Sequence, residues 1–175
     1  VETVKRVLEP RLRGLTITNV TVKRPEITAY PNAEEFCRLV TGQIISHMER
    51  RGKLLILHLR SHDRIILHLR MTGCLLLTPA DLPEEAHTHI IFSLSGSPES
   101  LPALELRFSD MRRFGRFWLL RENEADTYTG IGKLGIEPFD AALTPAYLQA
   151  RFGKRRKTVK ECLLDQNGVA GIGNI

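Results

Sequence analysis

The sequence predicts an α+β fold: an antiparallel β-sandwich or barrel-like body with a helix before it and a basic helical segment after it. Between residues 43 and 120, short apolar or alternating runs follow one another with tight turns between them. Such turns are too short for the crossover that a parallel pair requires, so neighbouring strands must pair antiparallel. After about Glu122 the alternation stops, and apolar residues recur at helical spacing instead.

Each element has its own local reason. Val1, Val4, Leu8 and Leu12 share one face of a helix, and Pro10 weakens its last turn. Residues 15–22 alternate with period two and read as a half-buried strand. A short helix follows, with Asn32 as its N-cap and Glu35 three positions on in a capping-box pattern. Strands are predicted over 43–50, 53–60, 64–71, 74–78, 87–94, 103–108 and 117–121, joined in part by Arg-Gly, Ser-His-Asp and Thr-Gly turns. Residues 123–129 are polar and turn-like, and Pro138 marks a further break. A helix over 144–151 has Thr144 at its cap and Pro145 in its first position. Another runs over 157–165 with Val159, Cys162 and Leu163 on one face, and a glycine-rich turn ends the sequence. The expected division is a β body over 1–122 and a helical part over 123–175.

Composition bounds the function. With 175 residues and 19.8 kDa the chain can bury a full core, as one domain or one with a small second. Hydrophobic residues at 42% and charged residues at 26% exclude intrinsic disorder, collagen and coiled coil. No apolar run approaches the roughly 18 residues of a membrane span, and residues 1–6 show no signal-peptide pattern. Cys37, Cys74 and Cys162 lack any C-x-x-C spacing and read as three buried thiols in a reducing cytoplasm, with no metal site of their own. The net charge of +5 and pI near 9.4 favour a polyanionic partner. Positive charge concentrates in residues 151–160, which contain no acid.

Several short motifs carry possible chemistry. Lys53 follows Gly52 at a strand-to-strand turn, which makes it a solvated turn lysine, a phosphate contact or an amine active in proton transfer. In the run from His68 to Gly73, alternation places His68 and Arg70 on one strand face and Leu69 and Met71 on the other. The pattern alone favours Met71 as a core residue over an exposed wedge. The run from Asp110 to Arg116 sets three arginines around Phe114, offering phosphate charge, guanidinium readout and a stacking plane. His87 and His89 fall on one strand face as a metal site would need, but no third ligand is evident, so hydrogen bonding or phosphate contact is the plainer reading. Gly171-Ile172-Gly173-Asn174, downstream of Arg155, Arg156, Lys157 and Lys160, reads as a phosphate-binding turn.

Taken in order, these motifs resemble the formamidopyrimidine-DNA glycosylase family, bacterial enzymes that excise oxidised purines. The resemblance runs over essentially the whole chain. It rests on Val1-Glu2-Thr3, Arg51-Gly52-Lys53, His68-Leu69-Arg70-Met71-Thr72-Gly73, Asp110-x-Arg112-x-Phe114-Gly115, Leu134-Gly135-x-Glu137-Pro138, and Lys160-x-x-Leu163-Leu164-Asp165-Gln166 leading to residues 169–175. It implies a β-sandwich followed by a helix–two-turn–helix domain, with damaged double-stranded DNA in the cleft between them. The damaged base is flipped out. By the same resemblance Met71 would then fill the void, Arg112 would hydrogen-bond the orphaned base, and Phe114 would wedge into the stack. Lys53, the catalytic candidate, together with His68, Arg70, His87, Arg156, Lys160 and Asn174, would line the phosphate path or damage pocket. A monomer in the bacterial cytoplasm, associated with the nucleoid and with no membrane partner, completes the expectation.

The sequence also departs from that family. Its members begin Pro-Glu-Leu-Pro-Glu before Val-Glu-Thr. The proline amine attacks the sugar carbon to form a Schiff base, and the adjacent glutamate is the general acid. Neither precedes Val1 here, and Glu2 belongs to the later Val-Glu-Thr. The second helix of the DNA-binding motif and a four-cysteine zinc finger are not in the sequence either. No cofactor is therefore expected in this chain, and one structural zinc in a full-length member. The chain reads as an internal fragment of a bifunctional glycosylase and abasic-site lyase, inactive as truncated. The rivals are a non-catalytic lesion-binding remnant, a pyrimidine-preferring relative, and an unrelated small-molecule β-barrel enzyme, whose binding would be insensitive to salt.

Overall fold

The structure is a computed structural model and describes residues 1–95 and 103–174; Ile175, the last residue of the terminal motif, lies outside the described residues. Helix α1 spans Glu2–Leu12, β1 Thr16–Val22, β2 Thr28–Tyr30 and α2 Ala33–Val40. The strand series continues with β3 Ile45–Arg51, β4 Leu54–Leu59, β5 Arg64–His68, β6 Gly73–Pro79, β7 Thr88–Ser95, β8 Leu104–Asp110 and β9 Arg116–Leu120. Helices α3, Pro145–Phe152, and α4, Val159–Leu164, come after them. One sheet has the order β1-β7-β8-β6 and the other β2-β9-β5-β4-β3. Among the described residues every pairing between these strands is antiparallel except β2 with β9. That parallel pair escapes the short-turn argument because most of the body lies between its two strands in sequence. The α+β class with antiparallel sheets is the class expected.

The two sheets enclose a core in which Phe36, Phe92, Phe108 and Phe117 meet, with Phe108 and Phe117 edge to face at 5.0 Å. Such an arrangement adds about 0.5–1.5 kcal/mol per pair beyond area burial. β4 explains why its run is apolar without alternating. Leu55, Leu57 and Leu59 face the main core, while Leu54 and Ile56 join Ile66, Trp118 and Leu120 on the outer face. Tyr30, Ile131 and Leu134 cover that outer cluster, so β4 is buried on both sides.

Several local expectations are corrected. α1 continues through Pro10 to Leu12, because burial of Leu8 and Leu12 outweighs one lost backbone hydrogen bond. A bulge between Ile17 and Asn19 breaks the period of β1 and puts Ile17 and Val20 in the core together. Asn32 caps α2 as expected, accepting from the Glu35 N–H at 2.9 Å. α4 carries a full capping box between Thr158 and Glu161, but Val159 stands 76% exposed while Cys162 is buried. The three thiols differ too: Cys162 is buried, Cys37 half-buried with its pKa raised by burial, and Cys74 exposed. Among the described residues no helix is long and apolar enough to cross a membrane.

Glu137 joins the sandwich to the helical part. Its carboxylate accepts from Arg50 (2.7 Å), Arg51 (2.9 Å) and the Gly52 N–H (2.7 Å). Arg51 also donates to the carbonyls of Leu134 and Gly135 at 2.9 and 2.6 Å. A short bridge pairs Ile136 with Val169, which ties the segment after α4 to the same seam. The backbones approach closely there. A Cβ on Gly52, whose φ is +57°, would lie 3.1 Å from Leu134 Cδ1 and 3.6 Å from the Gly171 nitrogen.

Candidate nucleic-acid interface

Sheet register brings most of the expected site residues to one end of the sandwich. Leu54, His68 and Arg116 are neighbours across β4, β5 and β9, and Gly73 pairs with Asp110 across β6 and β8. Lys53, the turn over 69–72 and the loop over 111–115 therefore lie together. Both of the latter connections cross from one sheet to the other.

The first crossing overturns the simple alternation. β5 stops at His68, and Arg70 takes a left-handed φ of +57°. The Arg70 N–H donates to His68 Nδ1 at 2.9 Å, and the Gly73 N–H to the Leu69 carbonyl at 3.0 Å. Leu69 is buried in the core while Met71 is 76% exposed, so the two do not share a face. A Cβ on Gly73 would collide with that Leu69 carbonyl, which is why the turn needs glycine. Burial, then the charges of Arg70 and Lys53, push the His68 pKa down to about 4. The neutral imidazole accepts at Nδ1, so its proton sits on Nε2 as a donor.

The second crossing presents Arg112 and Phe114 together. The Arg112 guanidinium lies 4.7 Å from the centroid of the Phe114 ring, and both side chains are exposed. Arg113 has a left-handed φ of +56°, and Arg116 holds the loop by donating to the carbonyls of Arg113 and Gly115 at 2.9 and 2.7 Å. Asp110 accepts from the Gly115 N–H at 2.7 Å, the Arg112 N–H at 3.2 Å and the Thr72 hydroxyl. Burial alone would raise its pKa; these hydrogen bonds outweigh burial and hold it below the ordinary carboxylate range.

Lys53 borders a cavity of about 500 Å³ that is also lined by Val1, Glu2, Arg50, Phe139 and Gly171. A Cβ on Gly173 would stand 3.9 Å from Lys53 Nζ, so the terminal glycine turn lies close to the ammonium, with Asn174 next to it and exposed. Gln166 braces that turn, accepting from the Gly171 N–H at 2.8 Å and donating to the Ile172 carbonyl at 2.9 Å. Glu2 is no proton donor: hydrogen bonds from Arg6 and Arg50 hold its pKa low. Arg156 and Lys160 are exposed on the helical part, away from the strand turns in sequence and joined to them by no hydrogen bond or ion pair among the described residues.

The two histidines part company. His87, with φ +62°, is exposed ahead of β7, whereas His89 is buried and bonds through Nε2 to the Asp110 carbonyl at 2.8 Å. Their shared strand face is lost because the strand begins only at Thr88. Among the described residues no three His, Cys, Asp or Glu side chains form a metal-binding group. The cysteines lie on α2, β6 and α4. The residues present do not fit the family's structural zinc.

A model of the formamidopyrimidine-DNA glycosylase N-terminal domain matches residues 1–117. The chain belongs to the formamidopyrimidine-DNA glycosylase family. A formamidopyrimidine-DNA glycosylase of Moorella thermoacetica is 46% identical over 175 residues, which is all of this chain and 62% of that protein. One from Desulforamulus reducens is 43% identical, covering all of this chain and 61% of its own length. The chain thus spans about three fifths of these relatives. Among solved structures, the Lactococcus lactis formamidopyrimidine-DNA glycosylase bound to abasic-site DNA superposes with a TM-score of 0.87 at 32% identity, over 99% of this chain and 64% of that one. MutM in complex with carbocyclic 8-oxo-G-containing DNA gives 0.88 at 33% identity, over 99% and 63%.

Sequence reasoning about this glycosylase-family chain missed the residues that hold the site rather than face outward. Asp110 opens a loop that stands out for its arginines, and Glu137 sits in the Leu-Gly-x-Glu-Pro motif, where spacing suggests no role for it. An acid at the start of an arginine-rich loop was the available signal for the first. For the second there was none, since its partners lie 85 to 87 residues away.

Proposed function

We propose that this chain is the DNA-engaging part of a base-excision-repair glycosylase that removes oxidised purines, 8-oxoguanine and formamidopyrimidines, from duplex DNA and cleaves at the abasic site left behind. The observation that carries this reading is the outward presentation of Met71 beside the stacked Arg112–Phe114 pair at one end of the sandwich. An apolar wedge, a guanidinium and an aromatic ring are the groups needed to fill the space of an extruded nucleotide and hold its partner base. Lys53, Arg70, His68 and His87 around them, with Arg156, Lys160 and Asn174 on the helical side, supply charge and donors for phosphates. The Lactococcus lactis relative was solved with FAPY-dG-containing DNA, which supports an oxidised-purine substrate. In this reading residues 1–122 form the sandwich domain and 123–175 open the helical domain. The partner is damaged duplex DNA, met by a monomer in the cytoplasm at the nucleoid, and the structural zinc belongs to family sequence outside this chain.

Produced with Val1 as its first residue, the 175-residue chain has neither the proline amine nor the adjacent glutamate, so it binds without cutting. Fluorescence anisotropy with a duplex containing a tetrahydrofuran abasic analogue, against an undamaged duplex, tests the binding reading. The expected result is a preference of about tenfold or more for the abasic duplex. With roughly five phosphate contacts, the log–log salt slope is about −4 to −5. Equal, salt-insensitive binding would overturn it. Release of 8-oxoguanine by the same preparation would overturn the expected inactivity.

A further inference from the structure

We infer that Asp110 is a positioning residue that locks the 69–72 turn to the 111–115 loop, so that Met71 and the Arg112–Phe114 pair meet DNA as one preformed unit; this rests on the reading proposed above. Asp110 is 1% exposed and cannot itself reach a ligand. It sits where the two sheet-to-sheet crossings run side by side. Oδ1 accepts from the Thr72 hydroxyl and the Arg112 N–H (3.2 Å), and Oδ2 from the Gly115 N–H (2.7 Å). Its own N–H donates to the His87 carbonyl at 3.1 Å, and its carbonyl accepts from His89 Nε2 (2.8 Å) and the Arg113 N–H (3.2 Å). One residue thus bonds both crossings and the start of β7.

The Thr72 hydroxyl is the link that a simple loop cap would not need. It donates to Asp110 and receives the Arg112 N–H at 3.3 Å, joining the turn that exposes Met71 to the loop that exposes Arg112. Capping the 111–115 loop alone would require only the bonds from Arg112 and Gly115. A buried carboxylate is tolerated where both oxygens are paired, and this one is paired across two connections. The function of the bond network is registration. Connections whose backbones are already fixed lose less entropy when their side chains insert, which favours a damaged, easily opened site over intact duplex.

Thr72→Val, which removes the link and leaves the Asp110 bonds to its own loop, is the decisive variant; Thr72→Ser keeps the hydroxyl, and Asp110→Asn removes one acceptor oxygen. Amide hydrogen exchange at Arg70, Gly73, Arg112 and Gly115 is read together with anisotropy on tetrahydrofuran-containing and undamaged duplexes. Thr72→Val is expected to speed exchange in both connections and to lower the abasic preference by about tenfold, with undamaged-duplex affinity and its salt slope retained. Thr72→Ser restores the wild-type values. Wild-type preference in Thr72→Val, or a parallel loss of affinity for both duplexes, overturns the proposal. If wild-type chain shows no abasic preference, the functional reading fails and exchange alone decides: joint loosening supports registration, loosening of one connection refutes it. Should Asp110→Asn fail to fold, Thr72→Val still decides between these outcomes.

Discussion

At the residue scale, His68 and Met71 show how one turn assigns two chemistries. Burial and two nearby cations keep His68 uncharged, so its folded pKa lies below that of the unfolded chain. The unfolded chain therefore takes up this proton first as pH falls. The stability His68 contributes is fully present above about pH 6.5 and is lost progressively toward pH 4. In an NMR titration its imidazole C–H resonance is expected to move near pH 4; a midpoint near 6.5 would show that the ring is not shielded. Met71 makes the complementary prediction. Its exposure means that Met71→Ala shifts stability by no more than about 0.5 kcal/mol. On the proposed reading the same change weakens abasic-duplex binding by about tenfold, since an apolar wedge is lost. Unchanged binding would return Met71 to the status of an ordinary surface residue.

At the scale of elements, the seam between β3–β4 and the segment through Glu137 controls how the helical part is held. Burial would raise the Glu137 pKa, but the Gly52 N–H, Arg50 and Arg51 together lower it. A depressed carboxylate contributes its stability above the ordinary glutamate range, and the contribution is lost as pH falls through the folded value. The seam is thus intact at neutral pH and weakens only in acid. Glu137→Gln leaves Arg51 without a counter-charge and Arg50 with Glu2 alone, and is expected to cost about 1–3 kcal/mol in urea unfolding. A cost below about 0.5 kcal/mol would mean that the apolar contacts of Ile131 and Leu134 suffice. The same element-scale logic explains β4, whose apolar run was readable as a strand although its second buried face was not.

At the scale of the molecule, the outer cluster around Trp118 is expected to make sandwich and helical part unfold together. Trp118, the single tryptophan, is covered by the segment carrying Ile131 and Leu134, and the Glu137 bonds continue that contact. Trp118 fluorescence and far-ultraviolet circular dichroism should therefore trace one coincident transition in wild type. Two separated transitions in Glu137→Gln would locate the coupling in the seam, whereas separated transitions in wild type would refute it.

The succession of short antiparallel strands, the Asn32 and Thr144 helix caps, the basic charge of the later segment and the resemblance to a glycosylase family, which implied the sandwich, are legible in the sequence. Each is written in local spacing or in the order of motifs along the chain. Alternation misassigned Met71, which the family resemblance turned outward; that His87 and His89 separate, that β2 pairs with β9, and that Asp110 and Glu137 hold the site emerged only in the folded molecule. Those outcomes depend on a left-handed residue at Arg70, a strand that starts at Thr88, and hydrogen bonds spanning 38 residues to Thr72 and up to 87 to Arg50. Periodicity reports which residues neighbour one another along an element; it is blind to a backbone reversal and to partners that only folding brings within 3 Å.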